Sequence, residues 1–278
     1  MRSAQADDLT AAPGAGGGDP DEPMIRVRGV HKVYQTNDGP LEALRGIDFD
    51  VAPNEFVSLV GPSGCGKSTL LHCIAGLVPF EVGEVTVAGA PAKAGRTDTG
   101  IMLQTPVLFP WRTVMKNVLL PTEVLKLDSK RARVRASELL ETVGLAGFEE
   151  KHTWELSGGM RQRASLVQAL VSDPQVLLMD EPFSAVDEFT RERLNQELAR
   201  LHETLGRTTV YVTHNMHEAV FLSDRIVAMS AHPGQVVEII DVDLPRPRRL
   251  SMQDAPRMGE LVSYVRSILA PGLDREED

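Results

Sequence analysis

The sequence predicts an α/β fold built on a mainly parallel sheet, with a mostly helical insert. Three observations lead to this prediction. Short apolar runs typical of strands alternate along the chain with longer segments of helical periodicity. The run Val176–Met179 has no polar residue, as is usual for a strand of a parallel sheet that is buried on both faces. A glycine-rich stretch, residues 61–66, connects a strand-like run to a helical segment, which is common in α/β proteins.

In the first half of the chain, the pattern predicts a tail, then strands and one helix. Residues 1–23 are rich in Ala, Gly, Asp and Pro and have little to bury, so we expect a disordered tail. Order is expected to begin near Met24. Apolar patterns predict strands at 25–30, 44–51, 56–60 and 82–89, a helix at 67–77, and turns at 91–99.

In the second half, the helical insert is predicted over about residues 105–170. It includes helices at 128–143 and 157–171, the first with Gly144 at its end. A strand at 176–179, a helix at 189–205 and a strand at 208–213 follow. We expect one domain over residues 24–245 and a short C-terminal extension over 246–278, which is too small for a further β-rich regulatory domain.

Composition narrows the classes of function. Of 278 residues, 42% are hydrophobic and 24% are charged, as in ordinary globular proteins, and the formal net charge is -10. An acidic chain does not suit binding by phosphate neutralisation, so no nucleic-acid partner is expected. Cys65 and Cys73 do not form the pattern of a secreted disulfide framework. The sequence shows neither a membrane-spanning run nor a signal-peptide pattern, so we expect a partner to hold this protein at any membrane it serves.

The stretch from Gly61 to Ser68 has the spacing of a phosphate-binding P-loop: Gly, four residues, then Gly-Lys-Ser. Glycines let the backbone wrap a phosphate, and the following helix directs its positive end at the same anion. Lys67 is expected to reach the terminal phosphates of ATP, and Ser68 to bind Mg²⁺. A glycine-rich turn that matches by chance is disfavoured by the strand before it and the helix after it. The predicted ATP-binding residues of the loop are Gly61, Pro62, Ser63, Gly64, Cys65, Gly66, Lys67, Ser68 and Thr69.

Two carboxylates, Asp180 and Glu181, follow the apolar strand. A buried strand would hold Asp180 beside the Mg²⁺ of the P-loop. Glu181 would face the γ-phosphate, where it could position or deprotonate the attacking water. Taken alone, the pair could equally be a solvated loop after a core strand; the P-loop favours the catalytic interpretation.

The segment 156–163, Leu-Ser-Gly-Gly-Met-Arg-Gln-Arg, resembles the signature sequence of the ABC ATPases. Ser157 is a candidate helix N-cap, and Gly158 and Gly159 leave backbone N–H groups open to an anion. The resemblance implies that these three residues contact the γ-phosphate bound by a second subunit, so that two ATP molecules hold a homodimer together. The alternative, a merely flexible helix start, is disfavoured by the position of the segment just before the acidic strand. The resemblance also implies a P-loop NTPase core with an antiparallel β subdomain and a helical signature subdomain.

Four further positions match the ABC family. The resemblance implies that Tyr34 stacks on adenine, although it could also be an ordinary surface tyrosine. Gln104 matches the Q-loop glutamine, which contacts Mg²⁺ or the attacking water. Asp187, in Ser-Ala-Val-Asp, matches the D-loop that crosses the dimer interface, and His214 matches the switch histidine at the γ-phosphate. Glu181, His214 and Gln104 are therefore the predicted catalytic residues, and Ser68, Gln104 and Asp180 the predicted Mg²⁺ ligands.

The segment Phe109–Pro110–Trp111 resembles the surface that bacterial ABC importers present to their membrane permeases. The alternative is a local core cluster of aromatic residues. Together with Met160 and the segment 244–248, it is most similar to the ATPases serving nitrate, sulfonate and taurine uptake. Asn215, Thr153 and Val186 depart from common family residues, which bears on the subfamily and not on catalysis.

The resemblance implies an ATPase that converts ATP and water to ADP and phosphate. It would act as the ATP-hydrolysing subunit of a bacterial importer, at the cytoplasmic face of the membrane, with a permease and, indirectly, an external solute-binding protein. The alternatives are the ATPase of an exporter or lipid-moving system, a soluble ABC ATPase of DNA repair or translation, and an inactive subunit. Lys67, Glu181 and His214 are all present, which disfavours an inactive subunit.

Overall fold

A computed structural model describes residues 22–273 of the chain, with side chains to residue 270. Most of the tail predicted over 1–23 lies outside these residues. The first half contains β1 (Ile25–Thr36), β2 (Gly39–Val51), β3 (Phe56–Val60), α1 (Lys67–Ile74), β4 (Val82–Val87), β5 (Ala90–Pro91), β6 (Thr99–Met102), α2 (Val114–Val118), α3 (Leu120–Val124) and α4 (Ser129–Thr142). The second half contains α5 (Gly158–Leu170), β7 (Val176–Asp180), α6 (Glu188–Leu205), β8 (Thr208–Val212), α7 (Met216–Leu222), β9 (Arg225–Met229), β10 (Val236–Asp241) and α8 (Pro256–Leu273).

The strands form two sheets. One is antiparallel, with the order β2-β1-β4-β5. The other has the order β10-β9-β3-β8-β7-β6 and is parallel except where β10 pairs with β9. Every residue of β3, β7 and β8 is buried, as their apolar sequences indicate. The predicted fold class, a mainly parallel core with an antiparallel β layer and a helical insert, is confirmed.

The parallel sheet explains where the motifs meet. Because β3, β8, β7 and β6 are neighbours and run in one direction, their carboxyl ends lie along one edge. The P-loop follows β3, Glu181 follows β7, His214 lies two residues beyond β8, and Gln104 lies two residues beyond β6. Ligands of α/β proteins bind at this edge of the sheet.

The C-terminal segment is attached to the core. Arg246 is ion-paired with Asp224, and the Arg248 guanidinium donates to the Ser223 carbonyl oxygen at 2.6 Å. Helix α8 then buries one apolar face, which consists of Met258, Leu261, Val262, Val265 and Leu269. A domain boundary at residue 245 remains a prediction.

Some elements differ from the sequence prediction. Helix α1 ends at Ile74 and not at Leu77, because Gly76 adopts a φ of 67° and its N–H bonds to the Cys73 carbonyl. Strand β6 begins at Thr99, the last residue of the predicted turn region. Four elements, β6, α7, β9 and β10, are not predicted from the sequence pattern. Within the described residues, no helix is long and apolar enough to cross a membrane.

Candidate active site

The P-loop connects β3 to α1, and its glycines have conformational reasons to be there. Gly64 and Gly66 have φ angles of 73° and 93°, a region that glycine enters without steric cost. A Cβ on Gly66 would lie 2.7 Å from Leu44 Cδ2, and one on Gly61 would lie 2.6 Å from the Met229 carbonyl oxygen. The loop backbone therefore packs against Leu44 and Met229, two residues that are distant in sequence, while Ser63 and Gly64 are exposed.

Lys67 is buried inside this loop. Its Nζ donates to the carbonyl oxygens of Gly61 at 2.8 Å and Pro62 at 2.7 Å, and it lies 3.6 Å from Cys65 Sγ. Burial raises the pKa of the Cys65 thiol, although the Lys67 ammonium opposes this effect. The thiol is therefore neutral at physiological pH, and Lys67 is the cation available to an anion in the loop.

Ser68 and Asp180 meet although they lie far apart in sequence. Ser68 Oγ donates to Asp180 Oδ1 at 2.8 Å. A hydroxyl and a carboxylate oxygen side by side are hard ligands of the kind that Mg²⁺ prefers. His72 Nε2 lies 3.8 Å from the other carboxylate oxygen, Asp180 Oδ2. His72 belongs to none of the sequence motifs, although its position four residues after Ser68 on α1 places both on one helix face.

Glu181 brings the predicted catalytic residues together. Its Oε2 lies 3.1 Å from His214 Nδ1 and 3.4 Å from Gln104 Nε2. Glu181 has a φ of 41°, an unusual conformation for a residue with a side chain, and its N–H donates to the Val212 carbonyl at 3.0 Å. A carboxylate that shares hydrogen bonds with an imidazole and an amide can accept a proton from water held between them.

Ser184, at the start of the D-loop, donates through Oγ to the Glu181 carbonyl at 3.1 Å, whereas Ser157 of the signature and Asp187 each cap a helix. Ser157 caps α5 by accepting from Met160 N, and Asp187 caps α6 by accepting from Thr190 N at 3.0 Å. Hydrogen bonds from the side chain and the backbone N–H of Thr190 lower the pKa of Asp187. A Cβ on Gly159 would lie 2.8 Å from Thr190 Cγ2, so the two segments adjoin. Among residues 22–273, no hydrogen bond or ion pair joins either segment to the P-loop.

Tyr34 and Trp111 are both surface residues. Tyr34, on β1, is partly exposed, and Lys32 Nζ lies 5.0 Å from the centre of its ring. Trp111 is 71% exposed and stacks on Phe109 with ring centroids 4.8 Å apart. This exposure excludes the alternative that Trp111 belongs to a core cluster.

A second residue that belongs to none of the sequence motifs is Glu218, which is 6% exposed and lies behind His214. It receives a hydrogen bond from Thr213 Oγ1 at 2.7 Å. A carboxylate within an otherwise apolar helix, as in Glu218–Leu222, is a sequence signal for a buried polar contact.

Comparison with known proteins agrees with this geometry. Residues 44–184 match the ABC transporter family. The chain is 43% identical over 225 residues to an uncharacterized ABC transporter ATP-binding protein, MJ0412, of Methanocaldococcus jannaschii, covering 81% of this chain and 84% of that one. It is 41% identical to the aliphatic sulfonates import ATP-binding protein SsuB of Bacillus cereus, covering 81% and 88%. It is 39% identical to the taurine import ATP-binding protein TauB of Yersinia pestis, covering 79% and 85%.

The fold also matches a solved structure, the dimeric ABC transporter cassette MJ0796. The TM-score is 0.71 at 31% identity, and the match covers 80% of this chain and 100% of the cassette. A second structure of the same cassette is described as a post-hydrolysis state bound to ADP and phosphate. The chain therefore belongs to the ABC transporter family, as one of its ATP-hydrolysing subunits.

Proposed function

We propose that this protein powers the uptake of a sulfonate-like, taurine-like or nitrate-like solute through a separate membrane permease. The observation that supports its catalytic part is the convergence of Gln104 and His214 on Glu181, beside the Ser68–Asp180 contact. The importer part is supported by relatives whose names specify import of aliphatic sulfonates and taurine.

In the proposed reaction, the P-loop amides and Lys67 bind the phosphates of ATP. Lys67 Nζ would exchange its present carbonyl partners, Gly61 and Pro62, for phosphate oxygens. Glu181 would accept the proton of the attacking water, while His214 and Gln104 orient the carboxylate through the contacts described above. Tyr34 would stack on adenine with the ring face that Lys32 leaves open.

The Mg²⁺ ligands in this proposal are Ser68, Asp180 and Gln104. Ser68 and Asp180 already lie within hydrogen-bond distance, so small side-chain adjustments could direct both oxygens to one ion. When bound, Mg²⁺ neutralises charge on the β- and γ-phosphate oxygens.

Two copies of the chain are proposed to form the working unit. Ser157 and Gly158 are exposed, and among residues 22–273 no hydrogen bond joins them to the P-loop, so we infer that they complete the site of a second copy, with Gly159 and Asp187. The dimeric state of the solved cassette MJ0796 supports this arrangement. The permease would contact Phe109, Pro110 and Trp111, holding the dimer at the cytoplasmic face of the membrane. The solute-binding protein would act through the permease.

A Glu181→Gln variant tests the proposal, because it should bind ATP and hydrolyse it very slowly. The tagged variant would be expressed in its own host, extracted from membranes in mild detergent with ATP, and its co-purifying proteins identified. We expect a multi-span membrane protein in stoichiometric amount, and a solute-binding protein whose ligand is a small sulfonate, taurine or nitrate.

Lys67→Ala, which should not retain ATP, is the matched control. Recovery of a soluble dimer alone, or of ribosomes or nucleic acid, would contradict the importer proposal. Unchanged ATP hydrolysis by Glu181→Gln would contradict the role of Glu181.

A further inference from the structure

A buried carboxylate, Glu218, joins the segments around His214. Glu218 lies on α7 and is 6% exposed. Its Oε2 receives hydrogen bonds from Thr213 Oγ1 at 2.7 Å and from the Tyr211 hydroxyl at 3.3 Å. Its Oε1 receives one from Asn195 Nδ2 at 3.4 Å. A buried donor without a partner is energetically costly, so conformations that break these hydrogen bonds are disfavoured. The network therefore restricts the positions of Thr213, Tyr211 and Asn195 relative to Glu218.

The residues on both sides of His214 are held by this network. Thr213 precedes His214 and bonds to Glu218 through its hydroxyl. Asn215 follows His214; its N–H donates to Thr213 Oγ1 at 2.9 Å, and its Oδ1 accepts from Glu218 N at 3.1 Å. Thr213 is therefore bonded directly to the Glu218 carboxylate, and Asn215 N–H is linked to it through Thr213 Oγ1. The Asn215 Oδ1 bond is separate, because it caps α7 at the Glu218 backbone N–H.

The same carboxylate also reaches the segment after Glu181. Arg191 Nε on α6 lies 3.8 Å from Glu218 Oε1, and its Nη2 donates to the Val186 carbonyl at 3.1 Å. Val186 precedes Asp187. The hollow beside Glu181 is lined by both sets of residues: Glu181, Ser184, Arg191, Thr213, His214, Asn215 and Glu218.

We propose that Glu218 is a positioning residue for ATP hydrolysis, which holds His214 in contact with Glu181 through Thr213 and Asn215. It is not assigned a catalytic role, because among the described residues its carboxylate contacts Thr213, Tyr211, Asn195 and Arg191 and forms no bond with Glu181 or His214. This inference rests on the proposed roles of His214 and Glu181. It goes beyond them by naming the buried group on which the geometry of His214 depends.

The test compares Glu218→Gln, Thr213→Val and Thr213→Ser. Thr213→Val removes the hydroxyl at nearly constant shape, and Thr213→Ser retains it. Glu218→Gln and Thr213→Val should each lower kcat about tenfold or more while KM for ATP changes less than about threefold, because the P-loop is untouched. Thr213→Ser should stay within about threefold of the native kcat.

The decisive readout is a double-mutant cycle with His214→Ala. If Glu218 acts through His214, Glu218→Gln should lower kcat by less than about twofold in the His214→Ala background. If the double variant instead shows the product of the two single losses in kcat, the two residues act independently and the proposal is overturned. A native kcat in both Glu218→Gln and Thr213→Val would also overturn it. A native kcat in His214→Ala itself would instead contradict the proposed role of His214.

A matched control separates positioning from general stability. Glu55 is a partly buried carboxylate paired with Arg225 at the start of β3, away from the catalytic edge. Glu55→Gln should lower Tm but leave kcat unchanged. A loss of kcat in Glu55→Gln equal to that in Glu218→Gln, at a similar loss of Tm, would show that Glu218 acts only through stability.

Discussion

At the scale of single residues, the backbone of Glu181 is in a strained conformation. Its φ of 41° lies in the left-handed region, which costs a residue with a side chain on the order of 1 kcal/mol or more. The conformation persists because Glu181 N is bonded to the Val212 carbonyl of the adjacent strand end. The same bend directs the carboxylate towards His214 and Gln104, so the strain and the candidate site coincide.

His202 is a buried residue whose titration affects stability. Its ring packs edge-on against Phe56 with centroids 5.2 Å apart, and within the described part of the chain Nδ1 has no hydrogen-bond partner. Burial, followed by the positive charge of Arg246, lowers the pKa of His202 to about 4 from an ordinary value near 6.5. Between these two pH values the unfolded chain binds a proton that the folded chain does not, so stability falls as pH falls through this window.

We therefore expect His202 to contribute a loss of about 2 kcal/mol in the free energy of unfolding between pH 7.5 and pH 5. His202→Gln should remove this part of the pH dependence, whatever its effect on stability at pH 7.5. Urea unfolding at both pH values measures the difference, with His217→Gln, on an exposed histidine of α7, as the control. An identical pH dependence in His202→Gln and the native protein would contradict the expectation.

At the scale of elements, the loop that carries Trp111 is held rigid by one amide. Asn117 is fully buried, and its Oδ1 accepts from Phe109 N at 2.7 Å. Its Nδ2 donates to the carbonyl oxygens of Phe109, Arg112 and Thr113 at 3.0, 3.2 and 3.1 Å. The exposed Trp111, stacked on the half-buried Phe109, is therefore pre-organised, which reduces the entropy lost when a partner binds.

We expect Trp111→Ala to keep the ATPase activity of the isolated subunit and to abolish transport with the permease, because only the partner contact is removed. Asn117→Ala should also impair transport, with a lower Tm, because Phe109 N–H and the Arg112 carbonyl would lose their hydrogen-bond partner. ATPase and solute uptake in reconstituted vesicles are the measurements. Trp154→Ala is the matched control, since Trp154 is 66% exposed and stacks on His152. Equal losses of ATPase and transport in Trp111→Ala would contradict the proposed contact.

At the scale of the whole molecule, each proposed ATP site takes its P-loop from one copy and its signature from the other. Gly158 is exposed, and a Cβ there would approach only Arg161 Nη2, at 4.0 Å. Gly158→Asp is thus sterically tolerated, but its carboxylate would repel a phosphate bound by the partner. A Gly158→Asp copy thus keeps an intact P-loop, whereas a Lys67→Ala copy has a defective P-loop and keeps an intact signature.

We expect Lys67→Ala and Gly158→Asp to be inactive separately and active when mixed. Random pairing makes half of the dimers mixed, each with one intact site, so about a quarter of the sites should recover. Steady-state ATPase of the mixture against the two separate variants measures this. Activity of the mixture no higher than their sum would show that each site lies within one copy.

The linear motifs were enough to predict the family and the class of reaction. The P-loop, the acidic pair and the signature are contiguous stretches, and their residue types follow from local needs such as glycine φ angles and helix caps. Apolar patterns of period two and 3.6 also predicted eight elements to within a few residues, namely α1, β3, β4, α4, α5, β7, α6 and β8, while β1 and β2 are longer than predicted. Two predicted boundaries differ from the structure: α1 ends at Ile74, before Gly76, and β6 begins at Thr99, inside the predicted turn region 91–99.

Contacts between residues far apart in sequence could not be predicted from the motifs. Gln104 and Glu181 are 77 residues apart, and Glu181 and His214 are 33 apart, yet all three converge because β6, β7 and β8 are adjacent parallel strands. The contacts of Glu218, Asn117 and His202 could not be predicted from the sequence for the same reason. A hydrophobic pattern encodes whether a side chain is buried, but the partner of a buried polar group depends on strand order and helix packing across the whole chain.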